Sequence, residues 1–453
     1  MLPAYLSQAS PNPKGNRAPW YVNTAPSYAG IFLWIAFYQQ MAGATIAHAG
    51  LLLCLAALVL AGLLCYAFYY KVPAMLGMQT GYPLYVVGSS TFGTRGGYIM
   101  PGLLMGLLQV GWFAVATYFS TDFILKGLGM VSEPMTAPFI AVGLLWGLGM
   151  AFVGAKGIQY VAKVSLLLNA IPLLMLLYVF FQTVGGVSQY QVAPAQENSF
   201  LAVTSLLAIV IGFFATAGAA GADFGINSRH ETDVRMGGLV GISLAVLVAG
   251  GLPLLSVAGA HGMNPGLVSF DYGDVVQKIG GPIASAMLFL FAIASIPPTC
   301  FCAFIAGNSF STMIPGVPRV SSTMAGAAIG IIAAVTGAAA HLISFFTIVG
   351  ASFGPIIGAM VADYYLSGKR WAGPREGINW AGYIAWGVGF LIGILPFLPL
   401  PADVLPYTQP AALYGFLAGF AVYLGLAKAG LQPKSAEGFF PPKAFDHKTP
   451  AAA

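Results

Sequence analysis

Apolar residues run along this chain in long blocks separated by short polar stretches, and block after block is long enough to cross a bilayer. A helix needs about 20 predominantly apolar residues to span the hydrocarbon core. Blocks of that order fall at 20–48, 50–74, 97–125, 136–155, 158–185, 200–223, 236–262, 279–308, 320–340, 341–367, 379–400 and 409–430. The pattern predicts an all-α integral membrane protein with 12 transmembrane helices. None of the blocks alternates like a barrel strand, and lipid offers no partner to an unpaired backbone group, so each span is expected to be helical.

The spacing of the blocks carries further information. Spans one and six begin about 180 residues apart, as do three and eight, and five and ten. Five helices therefore repeat, and because five is odd the second copy enters the membrane from the opposite side, the inverted-repeat plan of many secondary transporters. The expected organisation is a tail over 1–19, a first repeat over 20–185, a second over 186–367, two more helices within 368–431 and a tail over 432–453. That last segment is polar and holds Pro433, Pro441 and Pro442, so it is expected to be disordered and cytoplasmic. Inverted-repeat transporters break the leading helix of each repeat near the midplane. Pro26-Ser27-Tyr28-Ala29-Gly30 in the first span and Gly212 to Gly221 in the sixth are the places where such breaks are expected, although glycine also serves close helix packing.

Composition narrows the function. With 58% hydrophobic and 7% charged residues, the chain has too little polar surface to cover a soluble particle of 453 residues. No HExxH, phosphate loop, nucleophile elbow or metal-spaced His/Cys cluster stands out, so the chain is not expected to be an enzyme. Cys54, Cys65, Cys300 and Cys302 lie in apolar spans and suit neither a zinc site nor a disulfide framework. Residues Met1 to Arg17 lack the basic start and apolar core of a cleaved signal peptide, so the first helix should be retained. A net charge of +5 need not mean nucleic acid: with the N-terminus inside, 16 of the 18 basic residues fall in inner segments, and only Lys126 and Lys278 fall outside. The positive-inside rule then puts both termini in the cytoplasm of a multi-pass protein of the inner (plasma) membrane. Its partners are expected to be the bilayer and a small molecule, with no nucleic acid, and the chain is expected to be monomeric.

Residues with chemistry are few. A charge at mid-bilayer costs about 2.5–3.5 kcal/mol on insertion scales, and Asp122, Asp223 and Asp363 all sit near span ends, where Arg or Lys partners are expected. A coupling ion at the midplane would then need neutral oxygens. Ser295-Ile296-Pro297-Pro298-Thr299 sets two hydroxyls four residues apart on one helical face, next to prolines that free carbonyls. For an organic ligand, Gln109 can donate and accept at once, and Trp112 lies one turn away near the centre of its span, too deep for an interfacial belt residue. A planar heterocycle fits both, with Phe213, Phe214 and Thr216 of the sixth span closing the other side.

Several motifs together resemble the nucleobase:cation symporters, and among them the bacterial cytosine and purine permeases. Gln109-Val110-Gly111-Trp112-Phe113 resembles the family's third-helix motif, Thr80-Gly81 with Phe92-Gly93 its inner-loop signature, and Ala222-Asp223-Phe224 with Arg229 the end of its sixth helix. Ala362-Asp363-Tyr364-Tyr365-Leu366 with Lys369-Arg370 is similar to the tenth. The resemblance implies a five-plus-five, leucine-transporter-like fold. It also implies that Trp112 stacks on the base, that Gln109 bonds its edge, and that Phe214 and Thr216 contribute from the sixth helix. Trp34 and Phe213 complete the expected substrate set. Sodium would lie between backbone carbonyls of Gly30 and Leu33 and the hydroxyls of Ser295 and Thr299. One departure is visible: where the family usually has two adjacent hydroxyl residues followed by Asn, this chain has Pro298-Thr299-Cys300. The expected function is a secondary active symporter that imports a nucleobase by alternating access, coupled to Na⁺ or H⁺ and using no cofactor. Hydantoin, allantoin or hydroxymethylpyrimidine are alternative ligands; an amino-acid transporter and a passive channel or receptor are the readings from other classes.

Overall fold

The computed structural model describes residues 2–156, 168, 170–314 and 316–437. Its frame is α1 (Thr24–Phe32), α2 (Leu51–Thr80), α3 (Gly96–Gly127), α4 (Ala137–Lys156), α5 (Ala170–Thr183) and α6 (Ser199–Ala219). It continues with α7 (Glu231–Met263), α8 (Gly281–Met313), α9 (Arg319–Val335), α10 (Leu342–Leu366), α11 (Trp380–Gly393) and α12 (Ala411–Lys428). Among the described residues, nine helical segments are long and apolar enough to cross a membrane, and α9 and α11 are shorter apolar helices. Among the described residues the regular structure is helical throughout. Each helix falls on one of the blocks read from the sequence; the start of the fifth block, 158–167 and 169, lies outside the described residues.

Three helices are interrupted: α1 beyond the expected Pro26–Gly30 stretch, α6 at the end of the expected Gly212–Gly221 stretch, and α8 at Ser295. Helix α1 runs straight through Pro26 and Gly30 and ends at Phe32. Pro26 lies in the first turn, where a missing N–H costs nothing because no carbonyl precedes it within the helix. The break comes at Trp34, which is extended (φ −73°, ψ 130°), before a short turn at Ile35–Phe37. In α6 the helix is likewise continuous through Gly212 and Gly218; it stops at Ala220 and restarts as a single turn over Gly221–Gly225. Gly212 serves packing instead, since a Cβ there would come within 2.5 Å of the Phe346 carbonyl oxygen on α10. Across the same crossing, a Cβ on Gly350 would lie 3.3 Å from the Gly212 Cα. Helix α8 has a break of its own at Ser295, immediately before Pro297 and Pro298, which provide no N–H to the preceding turn.

The core runs through α10, which packs against α6, α11 and α12. Its lower end carries a buried polar network. Asp363 accepts hydrogen bonds from Arg375 Nη1 at 2.8 Å, Ser90 Oγ at 2.7 Å, Thr91 Oγ1 at 3.3 Å and Tyr423 OH at 2.9 Å. One carboxylate thereby ties the α2–α3 connection, α10, the α10–α11 loop and α12 together. Asp122 pairs with Lys126 at 3.1 Å, and Lys126 also reaches Asp274 at 3.1 Å. These two acids have the basic partners that span-end acids were expected to have; Asp223 has a different environment, described below.

The terminal segments read as tails are partly built into the fold. Tyr5 and Leu6 are buried, the Tyr5 hydroxyl donates to the Thr94 carbonyl at 2.8 Å, and Asn12 bridges Gly81 to Ile226 and Asn227. At the other end, Lys434 and Ala436 bond the backbone of Glu376 and Pro374, so 432–437 are ordered against the α10–α11 loop. The rest of the expected disordered tail, 438–453, lies outside the described residues.

Removing one member of a buried ion pair leaves an uncompensated charge, which costs about 3–5 kcal/mol. Asp363→Ala is therefore expected to lower the melting temperature of the detergent-purified protein by many degrees. A melting curve matching the wild type would show that the network is dispensable.

Candidate functional site

Helical spacing decides which of the candidate side chains meet. Gln109 and Trp112 are three residues apart on α3, and Phe213 and Thr216 three apart on α6, so each pair shares a face. The two faces are apposed. The Trp112 indole N–H donates to Thr216 Oγ1 at 3.2 Å, and the Trp112 and Phe213 rings meet edge-on at 5.2 Å. Trp34, released from helical periodicity by the α1 break, brings its ring to 5.6 Å from Trp112 and 6.4 Å from Phe213. Phe345 and Phe346 of α10 close around the far side of Trp112 at 4.9 and 5.6 Å. Trp112 thus points into the protein, 5% exposed, and not toward lipid.

These residues form the inner end of a cavity of about 650 Å³, a size usual for small-molecule sites. From Trp34, Gln109, Trp112, Phe213 and Thr216 it runs along α8, past Phe301, Cys302, Asn308 and Thr312, to Asn23, Leu84, Tyr85 and Asn227. That mouth is the face against which the N-terminal segment is laid. The wall is mainly aromatic and aliphatic, with a few convergent polar groups, the pattern expected of a site that orients a flat ligand. The Gln109 amide makes only a weak 3.6 Å contact from Nε2 to Met105 Sδ, so its hydrogen-bonding capacity is open to a ligand.

Phe214 departs from its expected role. It is one residue, or about 100°, around α6 from Phe213, and its ring stacks on Phe32 at 5.5 Å and 18° while also meeting Tyr28. It is fully buried between α6 and α1 and does not line the cavity. The expected ion ligands also stand behind the cavity wall. Ser295 and Thr299 are fully buried; Ser295 Oγ donates to the Phe291 carbonyl at 3.0 Å and Thr299 Oγ1 to the Ser295 carbonyl at 2.5 Å. Ser295 Oγ in turn accepts the Trp34 indole N–H at 3.2 Å, which joins the α1 and α8 breaks directly. The Leu33 carbonyl accepts the Tyr38 hydroxyl at 3.4 Å. Gly30 lies within α1 and is not on the cavity wall. Among the described residues no group of three or more His, Cys, Asp or Glu side chains could hold a metal ion, so any cation here would rely on neutral oxygens.

Sequence reasoning missed several wall residues. Asn23, Asn227 and Asn308 were not singled out because each sits near a span end and gains its place on the wall only through the tertiary fold. Asp223, expected to pair with a base, instead accepts the Leu84 backbone N–H at 3.3 Å and lines the cavity. The cysteines are free and buried as expected, but they differ in orientation: Cys300 turns toward Met150 on α4, whereas Cys302 lines the cavity.

The chain is similar to known permeases at each level of comparison. Residues 11–419 match the family model described as permease for cytosine/purines, uracil, thiamine, allantoin. Cytosine permease of Escherichia coli strain K12 is 27% identical over 364 residues, covering 77% of this chain and 81% of that protein. A putative allantoin permease of the same strain is 23% identical over 334 residues, covering 64% of this chain and 65% of its own length. In structure, the chain is similar to Mhp1, a nucleobase-cation-symport-1 family transporter, in a closed conformation with bromovinylhydantoin bound: TM-score 0.71, 14% identity, 94% of this chain and 96% of the other. Its inward-facing conformation gives 0.67 at 15% identity, with 97% and 98% covered. Both likenesses establish the fold.

The different faces of Phe213 and Phe214 generate a paired expectation. Phe213→Ala should weaken ligand binding with little change in melting temperature. Phe214→Ala should cost about 3–5 kcal/mol of stability as a large buried ring is lost and leave the affinity of the surviving folded protein near wild type. Equal effects of the two substitutions on affinity would contradict the geometry.

Proposed function

The chain belongs to the family of permeases for cytosine/purines, uracil, thiamine and allantoin, and on that premise we propose that it imports a nucleobase or a closely similar planar heterocycle by cation-coupled alternating access. The family makes it a multi-pass membrane permease for small nucleobase-like molecules, not an enzyme. One observation carries the finer reading: Gln109 and Trp112 stand side by side at the end of a largely apolar cavity, the indole fixed by Thr216 and the amide open. An aromatic face and a group that both donates and accepts are what a base edge and ring require. Stacking a base on such a ring is worth about 1–3 kcal/mol in nucleic-acid proteins.

The cavity leads toward the face that carries the N-terminal segment. The distribution of basic residues supports a cytoplasmic assignment of that face, and with it a conformation from which a ligand held at Trp112 would leave inward. The aromatic packing of Trp112 with Phe345 and Phe346 supports closure on the opposite side. Coupling is assigned to Na⁺, held by the Ser295 and Thr299 hydroxyls with Leu33 and Gly30 carbonyls; the two hydroxyls are one turn apart, buried, and set at a helix break. Protons are the alternative. An amino-acid substrate is disfavoured because the inner end of the cavity offers Trp112 and Gln109 and no basic side chain to hold a carboxylate.

Three measurements test the reading. Trp112→Ala should weaken binding by the stacking contribution of about 1–3 kcal/mol, roughly 5- to 150-fold, with expression intact; unchanged affinity removes the stacking role. Competition of labelled cytosine uptake into proteoliposomes by adenine, uracil, allantoin and hydantoin should identify the ligand, and uptake of none of them would sink the proposal. Thr299→Ala should raise the Na⁺ concentration for half-maximal uptake, whereas an unaltered Na⁺ response would point to protons.

A further inference from the structure

Trp34 touches both halves of the proposed machinery. It lies in extended backbone between α1 and the Ile35–Phe37 turn, so its ring is oriented by contacts and not by helical periodicity. On one side that ring sits 5.6 Å from Trp112, tilted by 53°, on the cavity wall. A planar ligand lying between the two rings needs a van der Waals contact of about 3.5 Å on each face, roughly 7 Å in all. The present spacing of these tilted rings is too small, so a ligand that stacks on Trp112 from the side of Trp34 has to displace Trp34. On its other side the Trp34 N–H occupies a lone pair of Ser295 Oγ at 3.2 Å. That hydroxyl has two lone pairs and already spends its proton on the Phe291 carbonyl. An N–H pointing at an oxygen presents positive charge where a cation would have to approach.

We propose that Trp34 is a positioning residue that couples the two binding events: a heterocycle stacking on Trp112 displaces the Trp34 indole, and the displaced indole releases Ser295 Oγ to a monovalent cation. This rests on the preceding reading, in which Ser295 and Thr299 serve the coupling ion. Coupling of this kind is reciprocal, so the cation tightens the heterocycle by the same factor by which the heterocycle tightens the cation. The mechanism needs no long-range pathway, because one side chain forms contacts with both sites.

The test uses the purified full-length protein with cytosine as probe, or allantoin where cytosine does not bind, titrated calorimetrically in saturating sodium chloride and in choline chloride. In the wild type, sodium should tighten the probe about tenfold, within the usual range for coupled sites. Trp34→Phe keeps a ring but has no N–H, and should reduce that ratio to less than about threefold while raising sodium affinity in the absence of probe. Trp34→His, which restores a ring N–H, should recover part of the ratio, and it stands in should the Phe variant fail to fold. Gln109→Ala should weaken the probe with the ratio intact. A wild-type ratio near one, or an unchanged ratio in Trp34→Phe, overturns the coupling role. If neither probe binds in a Trp112-dependent way, the reading of the site fails instead.

Discussion

A backbone group inside hydrocarbon has no water to turn to, so every N–H and C=O in the membrane must be satisfied by the protein itself. This constraint determines where the helices can be broken. The α1 break at Trp34 and the α8 break at Ser295 face each other across the interior, and the indole N–H of one bonds the hydroxyl of the other. Around them, Tyr38 caps the Leu33 carbonyl and Thr299 the Ser295 carbonyl. The Tyr38 hydroxyl thus takes a carbonyl that regular helix would have used, whereas the Ser295 carbonyl accepts both the N–H and the hydroxyl of Thr299. A cation admitted between these two breaks meets hydroxyls and carbonyls that already have partners, whereas a ligand beside Trp112 meets the open Gln109 amide.

Glycine explains both the legible and the misleading parts of the sequence. Spans, their helical nature and their number followed from block length, because lipid leaves few alternatives. The break positions followed only in part, α6 breaking at Ala220 inside the expected stretch and α1 beyond it, because glycine in a membrane helix has two uses that spacing cannot separate. Gly212 matches Gly30 in the repeat register, yet it admits the α10 backbone and leaves α6 continuous. The actual break in α1 falls at a Leu-Trp pair with no compositional mark, where side-chain contacts overcome a local sequence well able to remain helical.

For the site, pairs three residues apart on one helix were readable, and Gln109 with Trp112 and Phe213 with Thr216 do converge. Phe214 could not be separated from Phe213 without knowing the rotation of α6 about its axis, which is set by the α6–α10 glycine crossing and by Phe32 on α1. Asn23, Asn227 and Asn308 were unreadable for a related reason: they come from distant segments, and only the folded cavity relates them. Asp223 shows the limit of charge placement as a guide. Its position near a span end resembled those of Asp122 and Asp363, but its neighbour is the Leu84 N–H where theirs are Lys126 and Arg375.

The distribution of rigidity bears on how such a protein can alternate. The buried carboxylate of Asp363 on α10 draws four donors from three other segments, so the region joining α10, α12, the α10–α11 loop and the Ser90–Thr91 part of the α2–α3 connection should move as one body. The cavity lies elsewhere, between α3, α6, α8 and the interrupted α1, and its mouth is bordered by the α2–α3 and α6–α7 connections. Although Ser90 and Thr91 of the α2–α3 connection belong to the Asp363 network, its Leu84 end meets Asp223 through one backbone N–H, and Asn12 donates to the Ile226 carbonyl, contacts of about 0.5–3 kcal/mol net each. Contacts of that size can be exchanged within the free energy that a stacked ligand supplies, whereas the Asp363 network cannot. Movement should therefore concentrate at the broken helices and the mouth, against a frame that α10 keeps fixed.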